Sequence, residues 1–260
     1  MSFIMITTSA KTLDESTDWS AVATSVPENL ETTSTLVNYL KGLSVKKLAQ
    51  VMQISPQLAQ TTRDRMQGWT KQHDSKSAKP AILLYKGDVY KQFDATSFSE
   101  DQQRYAQEHL RISSGLYGLI RPYDLIQPYR LEMRTKLPTT KNKAMNDFWS
   151  NKATETLNSD VHKTNAQFVL NLASKEYAKV LKPKKLKVPI ITAEFQEEKD
   201  GQLKTVAIFS KKARGMLVGY AIKNQIKNLD GLKKFDTEDY RFVEADEKRI
   251  LFARKYRTIN

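Results

Sequence analysis

Lys211, Lys212 and Arg214 crowd three cations into four positions, within the stretch 209–220, Phe-Ser-Lys-Lys-Ala-Arg-Gly-Met-Leu-Val-Gly-Tyr. Strand-like residues end at Ser210, and helical spacing begins with Ala213, Met216, Leu217 and Tyr220. On that reading the cations fall in the first turn of a helix, where the macrodipole already places positive charge. Exposed cations there cost roughly a few tenths to 1 kcal/mol each. A chain that stacks three of them on that end offsets the cost with a bound anion, or with carboxylates from elsewhere in the fold, for which Glu132 and Glu176 are candidates. An exposed cluster screened by solvent is the alternative reading.

Glu132 belongs to the second chemically unusual stretch, residues 111–135. Here Gly115, Gly118, Pro122 and Pro128 are mixed with Arg121, Arg130 and Glu132 among apolar residues such as Leu116, Leu119, Ile120, Leu125, Ile126 and Leu131. The expected form is a buried strand ending near Ser114, followed by a tightly folded, largely buried connection. The glycines permit positive φ or close backbone approach, and the prolines stiffen turns. Inside a basic cleft Glu132 would orient an arginine or lysine, or act as an acid/base group. A structural wedge with its charges at the surface is the bland alternative.

Other chemistries find little support. There is no cysteine, hence no disulfide framework, thiolate nucleophile or cysteine metal site. His73, His109 and His162 are far apart and match no ligand spacing, so no metal site is expected. Neither a Walker-type phosphate loop nor a dinucleotide fingerprint occurs, and no cofactor is expected.

Lysine plus arginine number 42 against 29 acids, a net charge of +13. Residues 1–130 hold 15 basic and 13 acidic side chains; residues 131–260 hold 27 and 16. The basic half should attract polyanions: nucleic acid, nucleotides or other phosphates. Six lysines between Lys175 and Lys187 against one acid, Glu176, read as a solvated face. No apolar run reaches membrane-spanning length, and Met1 to Thr8 reads as a first strand rather than a signal peptide. Together these fit a cytoplasmic protein.

The elements that must position these residues follow a mixed pattern. Phe3–Thr7 suits a buried strand, followed by a polar loop from Ser9 to Ser25. A helical subdomain is inserted at about 31–70. Leu36, Val37 and Leu40 mark its first helix; Ser44 caps a second carrying Val45, Leu48, Ala49 and Met52; Ser55 caps a third, with Pro56 at its first position and Leu58, Ala59, Thr62, Met66 and Trp69 on one face. Two short helices joined through Gln53-Ile54-Ser55 resemble a helix-hairpin-helix, with Lys46, Lys47, Arg63 and Arg65 supplying charge for a phosphate backbone. The usual Gly-x-Gly hairpin is absent, and an ordinary helical subdomain with solvated lysines is equally compatible. Gln72–Lys79 reads as an exposed linker and Ala81–Tyr85 as a strand turned by Gly87-Asp88. Ser99 with Gln102 forms a capping box for the next helix. Met145, Phe148, Trp149, Ala153, Thr156 and Leu157 mark a further helix. Gln167–Leu172 is a strand leading into a short helix through Leu181. Val188–Phe195 and Leu203–Ser210 read as a hairpin around Lys199-Asp200-Gly201, and Tyr240–Val243 with Ile250–Ala253 as a last pair. The fold class is therefore α/β, a mixed central sheet flanked by helices, in one domain of residues 1–260.

Six blocks stand in order along nearly the whole chain: Ser9-Ala10-Lys11-Thr12-Leu13; Lys86-Gly87-Asp88-Val89-Tyr90; Ser113 with Gly115-Leu116-Tyr117-Gly118-Leu119; Pro128-Tyr129-Arg130-Leu131-Glu132-Met133; Asn171-Leu172-Ala173-Ser174 with Glu176-Tyr177; and Lys211-Lys212-Ala213-Arg214-Gly215. In register, they resemble the YaaA family of bacterial peroxide stress resistance proteins. One departure is the missing proline before Ala10. Combined with these blocks, Lys11, Arg130, Glu132, Ser174, Lys211, Lys212 and Arg214 are expected to converge on one cleft at strand ends. The resemblance implies an oxidative stress role that limits free intracellular iron. It also implies binding of double-stranded or distorted DNA through a basic cleft and the helix-hairpin-helix-like insertion at Lys46, Lys47, Gln53, Ser55 and Arg63. The rival expectation is an enzyme acting on a phosphorylated or carboxylated small molecule, with Glu132 as the catalytic candidate. Direct iron sequestration is least favoured, for want of a dense ligand cluster.

Overall fold

β1 (Ser2–Thr8) is the strand around which the sheet is built. Its residues Phe3 to Ile6 are fully buried, so helices must cover both of its faces. The computed structural model describes residues 2–16, 18–21 and 23–257; Met1 of the leading apolar run and positions 17 and 22 of the following loop lie outside the described residues. β1 runs parallel to β3 (Leu110–Ser114) on one side and to β6 (Ala166–Asn171) on the other. β7 (Ile190–Lys199) and β10 (Arg249–Lys255) continue the parallel array. Antiparallel strands finish it: β4 (Gly118–Ile120) beside β3, β9 (Arg241–Ala245) beside β10, and the short β8 (Gln202–Lys204) beside β7. The eight strands form one mixed sheet; β2 (Lys79–Pro80) and β5 (Leu125–Ile126) pair separately. The fold is the expected α/β arrangement.

Helix α6 (Met145–Thr164) packs on β1, β4 and β6. Helix α5 (Glu100–His109) packs on β1 and β3, and α8 (Ala207–Lys223) packs on β7 and on α5. The capping box at Ser99 and Gln102 is present and starts α5. Three short helices, α4 (Ala81–Leu84), α7 (Lys175–Ala178) and α9 (Leu229–Lys233), complete the set. No helix among the described residues is long and apolar enough to cross a membrane.

Between β1 and β3 lie α1 (Leu30–Lys41), α2 (Val45–Met52) and α3 (Pro56–Gly68). Ser44 Oγ accepts from the Lys47 N–H and Ser55 Oγ from the Leu58 N–H, each at 3.3 Å, so both serines cap their helices. Gln53 takes the left-handed conformation, φ 54°, that ends α2. The three helices are tied to the sheet through Tyr117. Its hydroxyl accepts from Trp69 Nε1 (2.9 Å) and the Gln127 N–H (3.1 Å) and lies 3.2 Å from His73 Nε2.

Four local expectations are overturned. Ala81–Tyr85 is a helical turn, not a strand: the Ala81 and Ile82 amides bond to Asp124 and Pro122 carbonyls and the Tyr85 amide to Ala81. An unbroken apolar run has no period, and tertiary partners decided its shape. The second hairpin arm ends at Lys204, and α8 begins at Ala207, six residues earlier than the spacing suggested. Leu58 is exposed rather than part of the buried face of α3, and the 72–79 linker buries His73 and Lys79. Lys79 Nζ enters that interior by donating to the Asp14 and Ser16 carbonyls and the Ser16 hydroxyl.

Candidate functional site

The parallel strands β1, β3 and β6 deliver their chain ends to one edge of the sheet, the place where open α/β sheets bind ligands. A cavity of about 540 Å³ opens there. Its walls are Thr8–Thr12 after β1, Gly87–Tyr90, the Leu172–Tyr177 region after β6, and Ala207, Lys211 and Arg214 of α8. Positions 207, 211 and 214 are spaced i, i+4 and i+7, which sets them on one stripe of the helix. Lys212 is off that stripe; it is half-buried and does not line the cavity.

The early start of α8 corrects the sequence reading of the cations. Lys211, Lys212 and Arg214 lie beyond the first turn, so the clash with the macrodipole does not arise. Their placement comes from the helix face instead. Gly215 makes that face possible: a Cβ there would lie 2.1 Å from the Val89 carbonyl oxygen. The bare backbone lets α8 close on residues 87–93, and Lys211 Nζ reaches Asp88 Oδ2 at 2.9 Å. The Lys211 hydrogen bond and charge hold the Asp88 carboxyl below the usual range, with Lys91 and Lys212 adding to the effect.

Gly115 does the same for Glu132. A Cβ on Gly115 would lie 2.1 Å from the Leu131 carbonyl oxygen, so the 128–134 segment rests directly on the end of β3. Glu132 is 7% exposed. Its Oε1 takes Lys11 Nζ and Arg130 Nη2, both at 3.1 Å, and its Oε2 takes Arg134 Nε at 3.2 Å. Burial opposes its charge, but the Lys11 hydrogen bond and the charges of Lys11, Arg134 and Arg130 prevail and keep the carboxyl below its usual value. Glu132 is thus an ionised hub that aims three cations. The Arg134 amide donates to Glu176 Oε1 at 3.1 Å, linking this hub to the wall after β6. Arg130 Nε is buried without a hydrogen bond.

Tyr90 and Tyr177 line the site, and a set of buried hydroxyls lies behind them. Tyr90 OH donates to the Thr8 carbonyl at 2.8 Å, and Tyr129 OH sits 2.6 Å from Ser114 Oγ and 2.7 Å from Tyr85 OH. Burial pushes the phenols of Tyr85, Tyr90, Tyr129 and Tyr177 above their usual range, so they remain protonated.

Of the expected residues, the structure brings Lys11, Ser174, Lys211 and Arg214 to the cavity wall, with Arg130 and Glu132 joined to it through Lys11. The wall is of mixed charge: Lys11, Lys211 and Arg214 with Asp88 and Glu176. Arg134, Asp88, Ser9, Tyr90 and Tyr177 were missed. Four of these five lie inside the sequence blocks quoted above, and Arg134 follows one directly. The insertion residues Lys46, Lys47, Gln53, Ser55 and Arg63 do not line the cavity. Lys46, Lys47, Gln53 and Ser55 are exposed, and half-buried Arg63 donates to the Leu43 carbonyl at 3.3 Å, bracing α3 against the loop before α2. Another cavity, about 670 Å³, opens at the opposite strand ends. Its two arginines share an internal partner, Arg111 and Arg121 bonding Asp160 at 2.7 and 3.3 Å, while His109 and Lys163 sit in the last turns of α5 and α6.

A family model described as "Peroxide stress protein YaaA" matches residues 3–246. The chain is 42% identical over 254 residues to a UPF0246 protein of Saccharophagus degradans, covering 97% of this chain and 99% of the relative. It is 41% identical over 254 residues to a UPF0246 protein of Janthinobacterium sp., covering 97% and 98%. A UPF0246 protein of Dinoroseobacter shibae is 41% identical over 249 residues, covering 95% and 93%. With the glycine-seated cleft and these matches spanning nearly the whole chain, the chain belongs to the peroxide stress protein YaaA family.

Proposed function

We propose that this protein acts in the cytoplasm under peroxide stress by binding DNA, seating backbone phosphate in the cleft after β1, β3 and β6. One observation carries the reading: Lys11, Lys211 and Arg214, from segments 200 residues apart in sequence, meet at a single cavity. Glu132 and Asp88 keep Lys11 and Lys211 at the wall, and each carboxylate competes with phosphate for its lysine. The exposed Lys46 and Lys47 of the helical hairpin would add a second, sequence-independent contact to the backbone. On this reading the iron link of the resemblance is a downstream effect of DNA binding, with no iron ligation by the protein.

Binding titrations on duplex and bubble DNA at two salt concentrations test it. The Lys11→Gln and Lys211→Gln variants should each bind more weakly and with a shallower salt dependence than wild type. Absence of binding near physiological salt, or binding indifferent to salt, refutes the reading.

The cavity volume favours one rival. About 540 Å³ is the size of a small-molecule pocket, and Glu132 and the tyrosine hydroxyls are groups an enzyme could use on a phosphorylated or carboxylated substrate. Thermal-shift screening with nucleotides and phosphates separates the two. A ligand that raises the Tm and is turned over, with Glu132→Gln inactive, selects the enzyme.

A further inference from the structure

On the other side of the segment 171–179 lies a second cavity, of about 860 Å³. Successive residues of that segment serve opposite walls: Leu172, Ser174 and Glu176 line the first cavity, while Asn171, Ala173 and Lys175 line the second. The segment is therefore a ridge between two hollows. Among the described residues, Arg214 is the one side chain that lines both.

Arg214 stands apart electrostatically. It makes no hydrogen bond and no ion pair among the described residues, unlike Lys11, Arg130, Arg134 and Lys211. Burial pulls its guanidinium below the usual pKa, and the acid acting on it is Glu194, whose carboxylate is 3.5 Å from Arg249. A desolvated guanidinium whose nearest acid makes no contact ion pair with it is costly to keep unless an anion visits it. The second hollow continues that character. Lys175 and Lys179 stand exposed at its wall, Thr205 and Ser210 supply hydroxyls, and Glu194, paired with Arg249, is the one acid on it against three cations.

We infer that the second cavity is a second anion subsite, so that the ligand is a chain carrying phosphates on both sides of Arg214, a nucleic acid strand rather than a mononucleotide. This rests on the DNA-binding reading and adds the path the strand takes, over the 171–179 ridge. The planar guanidinium, with its five N–H donors in a fixed fork on a side chain that lines both hollows, can donate toward both at once.

The test compares thymidine 5′-monophosphate with a hexathymidylate at one salt concentration, using the full chain. Lys175→Gln/Lys179→Gln removes charge from the second hollow alone; both lysines are exposed, so its Tm should match wild type. It should bind the hexamer about tenfold more weakly and the monophosphate unchanged. Lys11→Gln, in the first hollow, should weaken both probes. Equal loss on both probes for the double variant overturns the inference, since that is only long-range charge. No loss on either overturns it too. If Lys11→Gln weakens both probes while the double variant changes neither, the cleft reading stands and the second subsite falls. If wild type binds neither probe, the second subsite falls, while the cleft reading stands or falls on the duplex and bubble titrations.

Discussion

Glu132→Gln separates a hub that aims cations from a catalytic acid or base. The substitution keeps size and most hydrogen bonding but removes the negative charge shared by Lys11, Arg130 and Arg134. The side chains of Lys11 and Arg134 are 58% and 57% exposed, so each of those pairs contributes at most about 1 kcal/mol. Arg130 is 16% exposed and already carries a buried Nε without a partner, so leaving it without its carboxylate costs about 2 kcal/mol more. The sum is roughly 3 kcal/mol, or a Tm lower by roughly 6–12 °C for a chain of this size. The same change removes a competitor from the cleft, and phosphate affinity should rise about three- to tenfold. Differential scanning fluorimetry with increasing phosphate reads both effects: the variant starts lower and gains more stability per addition. The pH dependence has a definite sign. The folded carboxyl titrates below its ordinary value of 4.5, so its contribution is present above that value and lost as pH falls through the folded one. A variant with wild-type Tm and unchanged phosphate affinity would refute the hub.

Gly215→Ala should be worse than a surface change. The new Cβ meets the Val89 carbonyl at 2.1 Å and Gln92 Cβ at 2.9 Å, forcing α8 off residues 87–93; we expect a loss of roughly 1–3 kcal/mol in urea unfolding and weaker anion binding because Lys211 and Arg214 move with the helix away from the opposite wall. Asp14 is held at about 2 by hydrogen bonds from Ser16 and by the charges of Lys79 and Lys86, so stability should decline as pH falls from 3.8 toward 2, and Asp14→Asn should flatten that decline in acid titrations followed by circular dichroism. Burial holds His73 below its ordinary 6.5, so the unfolded chain takes up the proton first and stability should fall as pH drops below 6.5. Hydrogen exchange in α1–α3 should quicken over the same range, and His73→Gln should remove that part, leaving the share due to His109.

Helix starts were the most legible part of the chain, because a cap is a local device: Ser44, Ser55 and Ser99 each satisfy an amide three residues on. Element type failed where apolar residues carried no period. Ala81–Leu84 and Ala207–Phe209 look like strand, and both are helical: the Ala81 and Ile82 amides bond the Asp124 and Pro122 carbonyls, and the Phe209 ring packs against Arg254 and Tyr256. That second error moved the cations out of the first turn and removed the argument for an anion there. The convergence of Lys11, Lys211 and Arg214 could not be computed from any local pattern; family blocks alone suggested it. Asp88 and Arg134 were overlooked because an acid near a glycine turn and one more arginine look ordinary until Lys211 and Glu132 lie within 3.2 Å of them.

Gly115 has an implication for how relatives can diverge. The carboxylate of Glu132 is located by main chain resting on main chain, Leu131 against the end of β3, not by the shapes of surrounding side chains. Lys11, Arg134 and Lys211 reach the site from outside that contact, each more than half exposed. The frame and the contacts it presents are therefore separable. A lineage could exchange those three outward groups and acquire a new ligand while the skeleton beneath stayed untouched, whereas any side chain at position 115 would dismantle the floor on which every such variation depends.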